Sequence, residues 1–330
     1  MSSEISAAAE IMDRNLALEA VRVTEAAAIA ASSQIGRGDE KEADRVAVDA
    51  MRQNLNALDI KGRVVIGEGE RDEAPMLYVG EEVGTGNGPQ VDIALDPLEG
   101  TSITASGGAN ALAVLAMADK GGFLHAPDVY MQKLAVGPGV SLSSVDLDAP
   151  VSDVLARIAK EKDKRVEDLM VCILNRSRHQ QLIADVRQTG ARITLIQDGD
   201  VSAVIATTDA DKGIDLYMGT GGAPEGVLAA AALQCTGGTI LGRLLFRNDG
   251  ERQRAERCGI RDLNKIYGLA DLSSAENVMF AATGVTDGAM LRGVRRGAGY
   301  ATTQSIVMRS KSGTVRYIES RHNTARKPVP

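Results

Sequence analysis

Two carboxylates stand three residues apart in the stretch DIALDPLEGTS, where an apolar, strand-like run ends. They are Asp96 and Glu99, with Pro97 between them and Gly100 and Thr101 behind. Two ionised carboxylates about 4 Å apart repel each other by about 4 kcal/mol at an effective dielectric constant of about 20. A shared cation would remove that repulsion, and hard oxygen ligands suit Mg²⁺ or Mn²⁺. The spacing is therefore compatible with a metal site, although Asp-Pro and Glu-Gly are also ordinary surface-turn chemistry.

Two further acids lie at the ends of predicted elements. Glu68 follows the short β-branched strand RVVIG, residues 63–67. Asp44 lies four residues before Val48, at the head of the apolar stripe Val48, Met51, Leu55 and Leu58 in a helix predicted over 39–58. A first-turn acid favoured by the helix dipole is one interpretation of Asp44, and an acid directed into a buried site is the other. The ends of helices and strands hold side chains on a rigid scaffold. If these acids converge, their mutual repulsion would require divalent cations, and more than one of them.

The order of the predicted elements changes along the chain. An Ala-rich helix over 16–35 and the helix over 39–58 precede strands at 63–67, 91–95, 111–117 and 133–139, and residues 141–150 resemble a linker. Beyond residue 150, apolar strands at 169–174, 191–196 and 213–219 alternate with helices, which predicts a mainly parallel sheet. Ligands bind beyond the carboxyl ends of such strands, here the loops 175–179, 198–200 and 219–226. The segments 300–310 and 314–320 predict a C-terminal hairpin.

Length and composition limit the possible functions. The 330 residues are 44% hydrophobic, which suffices for two domains, predicted at 1–150 and 151–330, with the C-terminal hairpin possibly returning to the first. The net charge of −7 argues against a nucleic-acid partner, because phosphate backbones are held by basic surfaces. No signal peptide and no membrane-length apolar run is visible, and the three cysteines form no CxxC pair. We therefore expect a cytoplasmic protein that binds neither membrane nor nucleic acid.

Several motifs together carry a resemblance to a known family. DPLEGT (96–101) resembles the Asp-Pro-[Ile/Leu]-[Asp/Glu]-Gly-[Thr/Ser] signature of the lithium-sensitive, metal-dependent inositol monophosphatase and fructose bisphosphatase superfamily. Further stretches are similar to the class II fructose-1,6-bisphosphatases of bacteria, and they are GRGDEKEAD (36–44), VIGEGERDEAPMLYVGEEVGTG (65–86), APDVYMQKLAVGPG (126–139), DGDVSA (198–203), GGAPEGV (221–227) and ATGVTDG (282–288). The resemblance implies an α/β sugar phosphatase fold with layers in the order αβαβα. It also implies a mixed sheet in the N-terminal domain and a mainly parallel sheet in the C-terminal domain.

The resemblance also implies roles for individual residues. It places the divalent cations, Mn²⁺ or Mg²⁺, on a set of acids comprising Asp44, Glu68, Asp96, Glu99 and Glu225. It implies that Thr101 aligns the attacking water and that Asp72 deprotonates it. It places the substrate on a larger set, namely Glu99, Gly100, Thr101, Tyr130, Arg176, Ser177, Arg178, Asp198, Gly199, Asp200 and Gly222. Relatives often have Lys and Pro where this chain has Arg176 and Ser177, a mild departure.

The expected reaction is the metal-dependent hydrolysis of the 1-phosphate of fructose-1,6-bisphosphate to fructose 6-phosphate and phosphate. The resemblance implies direct in-line attack by a metal-activated water, and a role in gluconeogenesis. Phosphate monoesters hydrolyse so slowly that the best enzymes accelerate the reaction by up to about 10²¹-fold. We expect a sugar bisphosphate as the small-molecule partner and a homo-oligomer, either a dimer or a tetramer.

Other functions were weighed against this one. The enzyme could hydrolyse sedoheptulose-1,7-bisphosphate as well, since both sugars present a phosphorylated ketose end. A non-catalytic sugar-phosphate sensor is disfavoured because every one of the expected metal acids is present. The segment ITLIQDGDVS (193–202) resembles the strand and Asp-x-Asp of aspartyl-phosphate phosphatases, but a nucleophilic Asp198 would leave the acids of residues 44–99 unexplained. The chain contains neither GxGxxG nor GxxxxGK[ST], which disfavours a dehydrogenase or a kinase.

Overall fold

The computed structural model describes the backbone of residues 2–69 and 76–326, and side chains from residue 16 onward. Its helices are α1 (Ser2–Ser32), α2 (Glu40–Leu55), α3 (Thr101–Ser106), α4 (Val151–Glu161), α5 (Gln180–Gln188), α6 (Asp200–Ala206), α7 (Ala223–Thr236), α8 (Asp249–Arg257) and α9 (Leu269–Leu272). Its strands are β1 (Lys61–Ile66), β2 (Glu82–Val83), β3 (Gln90–Glu99), β4 (Leu112–Asp119), β5 (Tyr130–Val136), β6 (Met170–Leu174), β7 (Arg192–Ile196), β8 (Leu216–Gly222), β9 (Thr239–Leu245), β10 (Ile266–Tyr267), β11 (Val278–Gly284), β12 (Arg295–Gly297), β13 (Tyr300–Arg309) and β14 (Thr314–Asn323). The predicted α/β class is confirmed. Asp72 lies outside the described residues.

The chain divides into two compact units. Unit 1 comprises the residues up to Lys120 together with those from Glu276 onward, and unit 2 comprises Gly121–Ala275. This division differs from the predicted division at residue 150, because β5 and the segment up to residue 150 belong to unit 2. The C-terminal hairpin of β13 and β14 adds to the sheet of unit 1 through the pairing of β13 with β11.

Within the described residues, the sheet of unit 1 has eight strands in the order β12-β13-β11-β4-β3-β1-β2, with β14 beside β13. Only β1 and β3 pair in parallel there, so this sheet is mixed, as predicted. Helix α1 contacts β4, β11 and β13, and its Val23, Ala27 and Ala31 lie in the buried core of the unit. Small side chains at a spacing of four residues let this helix lie close against the sheet.

Helix α2 belongs to unit 1 and carries Asp44 in its second turn. The helix begins after Asp39, whose carboxylate accepts a hydrogen bond from the Glu42 N–H and so caps the first turn. The predicted stripe is confirmed for Val48, Met51 and Leu55, which are buried on α2, whereas Leu58 is buried beyond the end of the helix at Leu55. Hydrophobic burial therefore fixes the rotation of α2, and with it the direction in which the Asp44 side chain leaves the helix.

Unit 2 contains a six-stranded sheet among its described residues, in the order β10-β9-β5-β8-β6-β7. Strands β6, β7 and β8 are parallel, as the helix–strand alternation predicts. The prediction of a mainly parallel sheet is wrong beyond them, because β5 lies between β8 and β9 and runs antiparallel to both. The sequence gives no sign of this insertion, since β5 precedes the alternating segment and pairs with strands more than 75 residues away.

The charged segment 247–265 contains helix α8. Asn248 caps this helix by accepting a hydrogen bond from the Glu251 N–H at 3.0 Å. No helix in the described part of the chain is long and apolar enough to cross a membrane.

Candidate active site

A bulge in β3 brings Asp96 and Glu99 to the same face of the sheet. Asp96 lies opposite Val114 of β4 and Glu99 lies opposite Leu112, so three steps along β3 match two steps along β4. Leu112 and Val114 are two residues apart on β4 and point to the same face of the sheet. The two acids that lie opposite them therefore also share one face. The strand was expected to end before Pro97. It continues instead to Glu99, with the proline inside the bulge.

The turn after the bulge is fixed by local hydrogen bonds. The Asp96 Oδ1 atom accepts a hydrogen bond from the Leu98 N–H at 3.0 Å. The Thr101 hydroxyl donates to the Leu98 carbonyl oxygen at 3.2 Å. Gly100 has a φ of 89°, in the left-handed region that other residues rarely adopt, and this lets α3 begin directly at Thr101. The Thr101 hydroxyl is therefore held on the turn that carries both acids.

Glu68 and Asp96 leave neighbouring parallel strands at equivalent positions. Ile66 of β1 pairs with Ala94 of β3, and each acid follows its paired residue by two positions. Parallel strands end at one edge of the sheet, so both acids lie at the same edge. The Glu68 backbone N–H donates to the Leu77 carbonyl oxygen at 3.0 Å, which ties this end of β1 to the following segment.

Asp44 and Glu68 form a pair of acids without a compensating cation. Burial raises the pKa of Glu68 to about 8, and the negative charge of Asp44 adds to this shift. Burial also raises the pKa of Asp44. No basic side chain among the described residues contributes to lowering either pKa. The pair is therefore a place where a cation would be stabilised by negative charge.

In unit 2, the backbone of Thr220 is held from both sides by the loop that follows β6. Arg178 donates from Nε and Nη2 to the Thr220 carbonyl oxygen at 3.0 and 2.7 Å. The Thr220 N–H donates to His179 Nε2 at 2.8 Å, and His179 Nδ1 lies 2.7 Å from the Leu174 carbonyl oxygen. Nδ1 must therefore carry the proton of the neutral ring. His179 is a buried structural link here rather than a surface group.

Two arginines lie against the ring of Tyr130, at the start of β5. The guanidinium carbon of Arg178 lies 4.7 Å from the ring centroid and that of Arg247 lies 4.8 Å from it. Glu251 is buried, and it accepts from Arg247 Nε at 2.6 Å and from the Arg247 backbone N–H at 2.7 Å. Tyr130 and the two arginines form a positively charged cluster that suits a phosphate group.

The predicted sugar-binding turn 198–200 has one exposed end and one buried end. Asp198 is partly exposed, and its carboxylate lies 3.8 Å from Arg176 Nη2. Asp200 is buried, and its Oδ2 atom lies 2.5 Å from Lys133 Nζ and accepts a hydrogen bond from the Tyr217 hydroxyl at 3.2 Å. The structure therefore places Asp200 in a buried polar network.

Glu225 lies in the first turn of α7, directly above Gly222. Its Oε2 atom is shielded from solvent and has no hydrogen-bond partner among the described residues. A Cβ atom on Gly222 would lie only 1.9 Å from this oxygen, so a larger residue there would displace the Glu225 carboxylate. Burial raises the pKa of Glu225, the charge of Asp200 adds to the rise, and Lys133 opposes it.

Comparison with known sequences identifies the family. Residues 14–322 match the family described as "Bacterial fructose-1,6-bisphosphatase, glpX-encoded". The chain belongs to this family. It is 48% identical over 328 residues to "Fructose-1,6-bisphosphatase 1 class 2" of Escherichia coli (strain K12), covering 96% of this chain and 97% of that protein. The proteins named "Fructose-1,6-bisphosphatase class 2" from Escherichia coli O6:H1 and from Shigella flexneri match equally well. The resemblance inferred from the motifs is confirmed.

Every predicted site residue lies within residues 14–322, the part of the chain that matches the bacterial fructose-1,6-bisphosphatase family. The structure divides them between the units. Unit 1 holds Asp44, Glu68, Asp96, Glu99, Gly100 and Thr101, whereas unit 2 holds Tyr130, the segments 176–178 and 198–200, Gly222 and Glu225. Among the side chains of residues 16–69 and 76–326, no group of three or more His, Cys, Asp or Glu is close enough together to hold a metal ion. Within unit 1 the charge of Asp44 raises the pKa of Glu68, and within unit 2 the charges of Asp200 and Asp128 raise that of Glu225.

Two basic residues of this fructose-1,6-bisphosphatase family member were missed by the sequence analysis. Arg247 lies in the charged segment 247–265, and its contacts with Tyr130 and Glu251 distinguish it from the neighbouring arginines. Lys133 is the first residue of the apolar run KLAV inside β5. A lysine at the start of a buried strand indicates a paired, buried charge, so the sequence did contain a signal for it.

Proposed function

We propose that this chain hydrolyses the 1-phosphate of fructose-1,6-bisphosphate, giving fructose 6-phosphate and inorganic phosphate in gluconeogenesis. The observation that carries the proposal is the family match, which extends over residues 14–322, with 48% identity to a class 2 enzyme across 96% of the chain. We propose fructose-1,6-bisphosphate rather than sedoheptulose-1,7-bisphosphate as the substrate because the relatives are named for it.

We propose that Mn²⁺ or Mg²⁺ is the cofactor. The donor set fits a hard divalent cation, because it consists of carboxylates alone and the Asp44–Glu68 pair lacks a compensating basic group among the described residues. The residues that would hold the ions are Asp44, Glu68, Asp96, Glu99 and Glu225. When bound, such ions supply positive charge against the phosphate oxygens and lower the pKa of a water molecule.

We assign the positioning of the attacking water to Thr101. Its hydroxyl hydrogen is directed at the Leu98 carbonyl oxygen, so the hydroxyl oxygen is left to accept a hydrogen bond. A water that donates to Thr101 has its lone pairs oriented away from the hydroxyl, as in-line attack on a phosphorus atom requires. We assign the proton of that water to Asp72, which lies outside the described residues.

The substrate's other phosphate would be bound by the arginine cluster of unit 2. A guanidinium carries five N–H donors, and Arg178 uses two of them on Thr220, so further donors can contact an anion. Tyr130 holds the guanidinium planes of Arg178 and Arg247, which limits the rotamer entropy lost when phosphate binds. The further proposed sugar-phosphate contacts of unit 2 are Arg176, Ser177, Asp198, Gly199, Asp200 and Gly222.

The experiment is a phosphate-release assay on fructose-1,6-bisphosphate, sedoheptulose-1,7-bisphosphate and sugar monophosphates, with Mn²⁺, with Mg²⁺ and with EDTA. We expect rapid release from fructose-1,6-bisphosphate with a divalent cation and none with EDTA. Equal kcat/KM for both bisphosphates would favour the dual enzyme. Binding without any turnover would instead favour the sugar-phosphate sensor and contradict the proposal.

We further propose that the protein acts in the cytoplasm as a homo-oligomer, a dimer or a tetramer. Gluconeogenic sugar phosphates are cytoplasmic metabolites, which supports the first part of this proposal. Size-exclusion chromatography with light scattering measures the second part directly, and a mass near 34.7 kDa, that of one chain, would contradict it.

A further inference from the structure

Lys133 is a fully buried lysine inside the sheet of unit 2. Its side chain is 1% exposed, and lysine is almost never buried in this way unless it is paired. On β5 it lies between Gly219 of β8 and Gly242 of β9, neither of which contributes a side chain. Gly226 of α7 is also close, because a Cβ atom there would lie 3.5 Å from the Lys133 Cδ atom. A Cβ atom on Gly221 would in turn lie 3.0 Å from the Lys133 Nζ atom, so Gly221 and Gly226 together leave room for this long side chain.

The ammonium group of Lys133 joins two segments that are separate in sequence. Nζ lies 2.5 Å from Asp200 Oδ2, at the start of α6, and donates to the Gly222 carbonyl oxygen at 2.9 Å, at the end of β8. Asp200 belongs to the turn 198–200, and Gly222 belongs to the glycine-rich segment 219–222. Both segments are proposed substrate contacts, whereas Lys133 itself is too deeply buried to touch a ligand.

Charge in this region explains why a cation is required. Asp200 is buried and accepts the Tyr217 hydroxyl, and Glu225 lies close enough for Asp200 to raise its pKa. Two acids would therefore repel each other in a region of low dielectric constant. Lys133 is the cation that acts on both, and its third contact, the Gly222 carbonyl oxygen, uses a further N–H donor.

We propose that Lys133 is a positioning residue for sugar-phosphate binding, because its ammonium group fixes the turn 198–200 relative to the glycine-rich segment 219–222. The inference rests on the proposed function, since those segments must bind a hydroxyl-rich sugar phosphate. An ammonium group with three tetrahedral donors can hold a carboxylate and a carbonyl oxygen at once, which an apolar side chain cannot do. Loss of the bridge frees the two segments to move apart without exposing the core.

A purely structural counter-ion would give a different result from a positioning residue. The variants K133M and D200N are therefore combined, because the double variant removes both buried charges and avoids leaving one of them unpaired. D200N alone shows how much binding is lost through Asp200 itself. A matched control is K164M/D215N, which removes another lysine–aspartate pair of unit 2. Asp215 precedes β8, at the end of that strand opposite to Gly222.

The readout is the Kd of fructose 6-phosphate by isothermal titration calorimetry in EDTA, beside the melting temperature. Fructose 6-phosphate retains one phosphate and the sugar hydroxyls, and EDTA removes any contribution from metal ions. We expect both double variants to melt a few degrees lower, by comparable amounts. Only K133M/D200N should bind fructose 6-phosphate about tenfold more weakly than the wild type, and more weakly than D200N.

The outcomes separate this inference from the proposed function. Wild-type protein that binds fructose 6-phosphate while K133M/D200N binds it as well as D200N does would overturn the role of Lys133 alone. Wild-type protein that binds no fructose 6-phosphate would overturn the proposed function, and the role of Lys133 with it. Equal weakening in K164M/D215N would show that loss of any buried ion pair suffices, and would also overturn the inference.

Discussion

Glu68 lies close enough to Asp44 for the negative charge of Asp44 to raise its pKa further than burial alone does. Such a pair is unfavourable in the metal-free protein, and it persists because α2 and β1 are fixed by their buried faces. Functional sites commonly retain a local cost of this kind. Removing one acid of the pair should therefore raise the stability of the metal-free protein and lower its activity.

We predict that D44N stabilises the metal-free protein and abolishes its activity. Removal of one partly buried charge should raise the melting temperature in EDTA by about 2 °C. The wild type should gain more melting temperature from added Mn²⁺ than the variant, since bound ions stabilise the folded state. The control is D49N on the same helix, where the exposed carboxylate pairs with Arg45. A D44N protein that melts lower in EDTA would contradict the predicted repulsion.

We predict that E99Q lowers kcat/KM for fructose-1,6-bisphosphate by about a hundredfold or more at saturating Mn²⁺. The reason is that the bulge directs Glu99 and Asp96 to one face, so that both act on the same ions. The matched control is D119N, since Asp119 is exposed at the far end of β4. Steady-state kinetics decides the matter, and an E99Q enzyme with full metal-dependent turnover would count against the site.

We predict that R247Q raises KM for the bisphosphate about tenfold and leaves kcat within about twofold. Arg247 would bind the phosphate that does not react, so its contribution is the same in the ground state and the transition state. R252Q is the control, because Arg252 lies on helix α8, which begins two residues after Arg247, and packs against the ring of Phe246. A fall in kcat with unchanged KM would assign Arg247 to the chemical step instead.

We predict that His179 makes the protein less stable at acidic pH. Burial lowers the pKa of His179 below 6.5, so the proton is bound more strongly in the unfolded chain. The stabilising contribution is therefore complete above pH 6.5 and is lost as the pH falls, because protonated Nε2 cannot accept the Thr220 N–H. Urea unfolding at pH 7.5 and 5.5 should show a smaller pH dependence for H179Q than for the wild type. An identical pH dependence would exclude His179 as the source.

Much of the fold follows from local patterns in the sequence. The apolar and β-branched runs predict β1, β4, β6 and β7 close to their observed bounds, and the hairpin of β13 and β14 was expected at its observed place. The apolar stripe of α2 is buried as predicted. These features depend on residues close together in the chain, where periodicity and turn chemistry act directly.

The remaining features depend on pairing between distant segments. The same-face orientation of Asp96 and Glu99 requires the register of β3 against β4, and the proline in between suggested the end of the strand instead. The position of β5 between β8 and β9 has no local signal. The burial of Asp200 on Lys133 could not be predicted, because 67 residues separate the two partners and the DGD motif alone suggested contact with sugar hydroxyls.

The acids of unit 1 should hold divalent cations, and a titration with Mn²⁺ measures this binding. Protein freed of metal with EDTA and then dialysed is titrated with Mn²⁺, and free Mn²⁺ is measured by electron paramagnetic resonance, for the wild type and for D96N. We expect at least one bound ion per wild-type chain and binding at least about tenfold weaker in D96N. Equal Mn²⁺ binding by the two proteins would show that Asp96 is not a ligand and would overturn the proposed metal site.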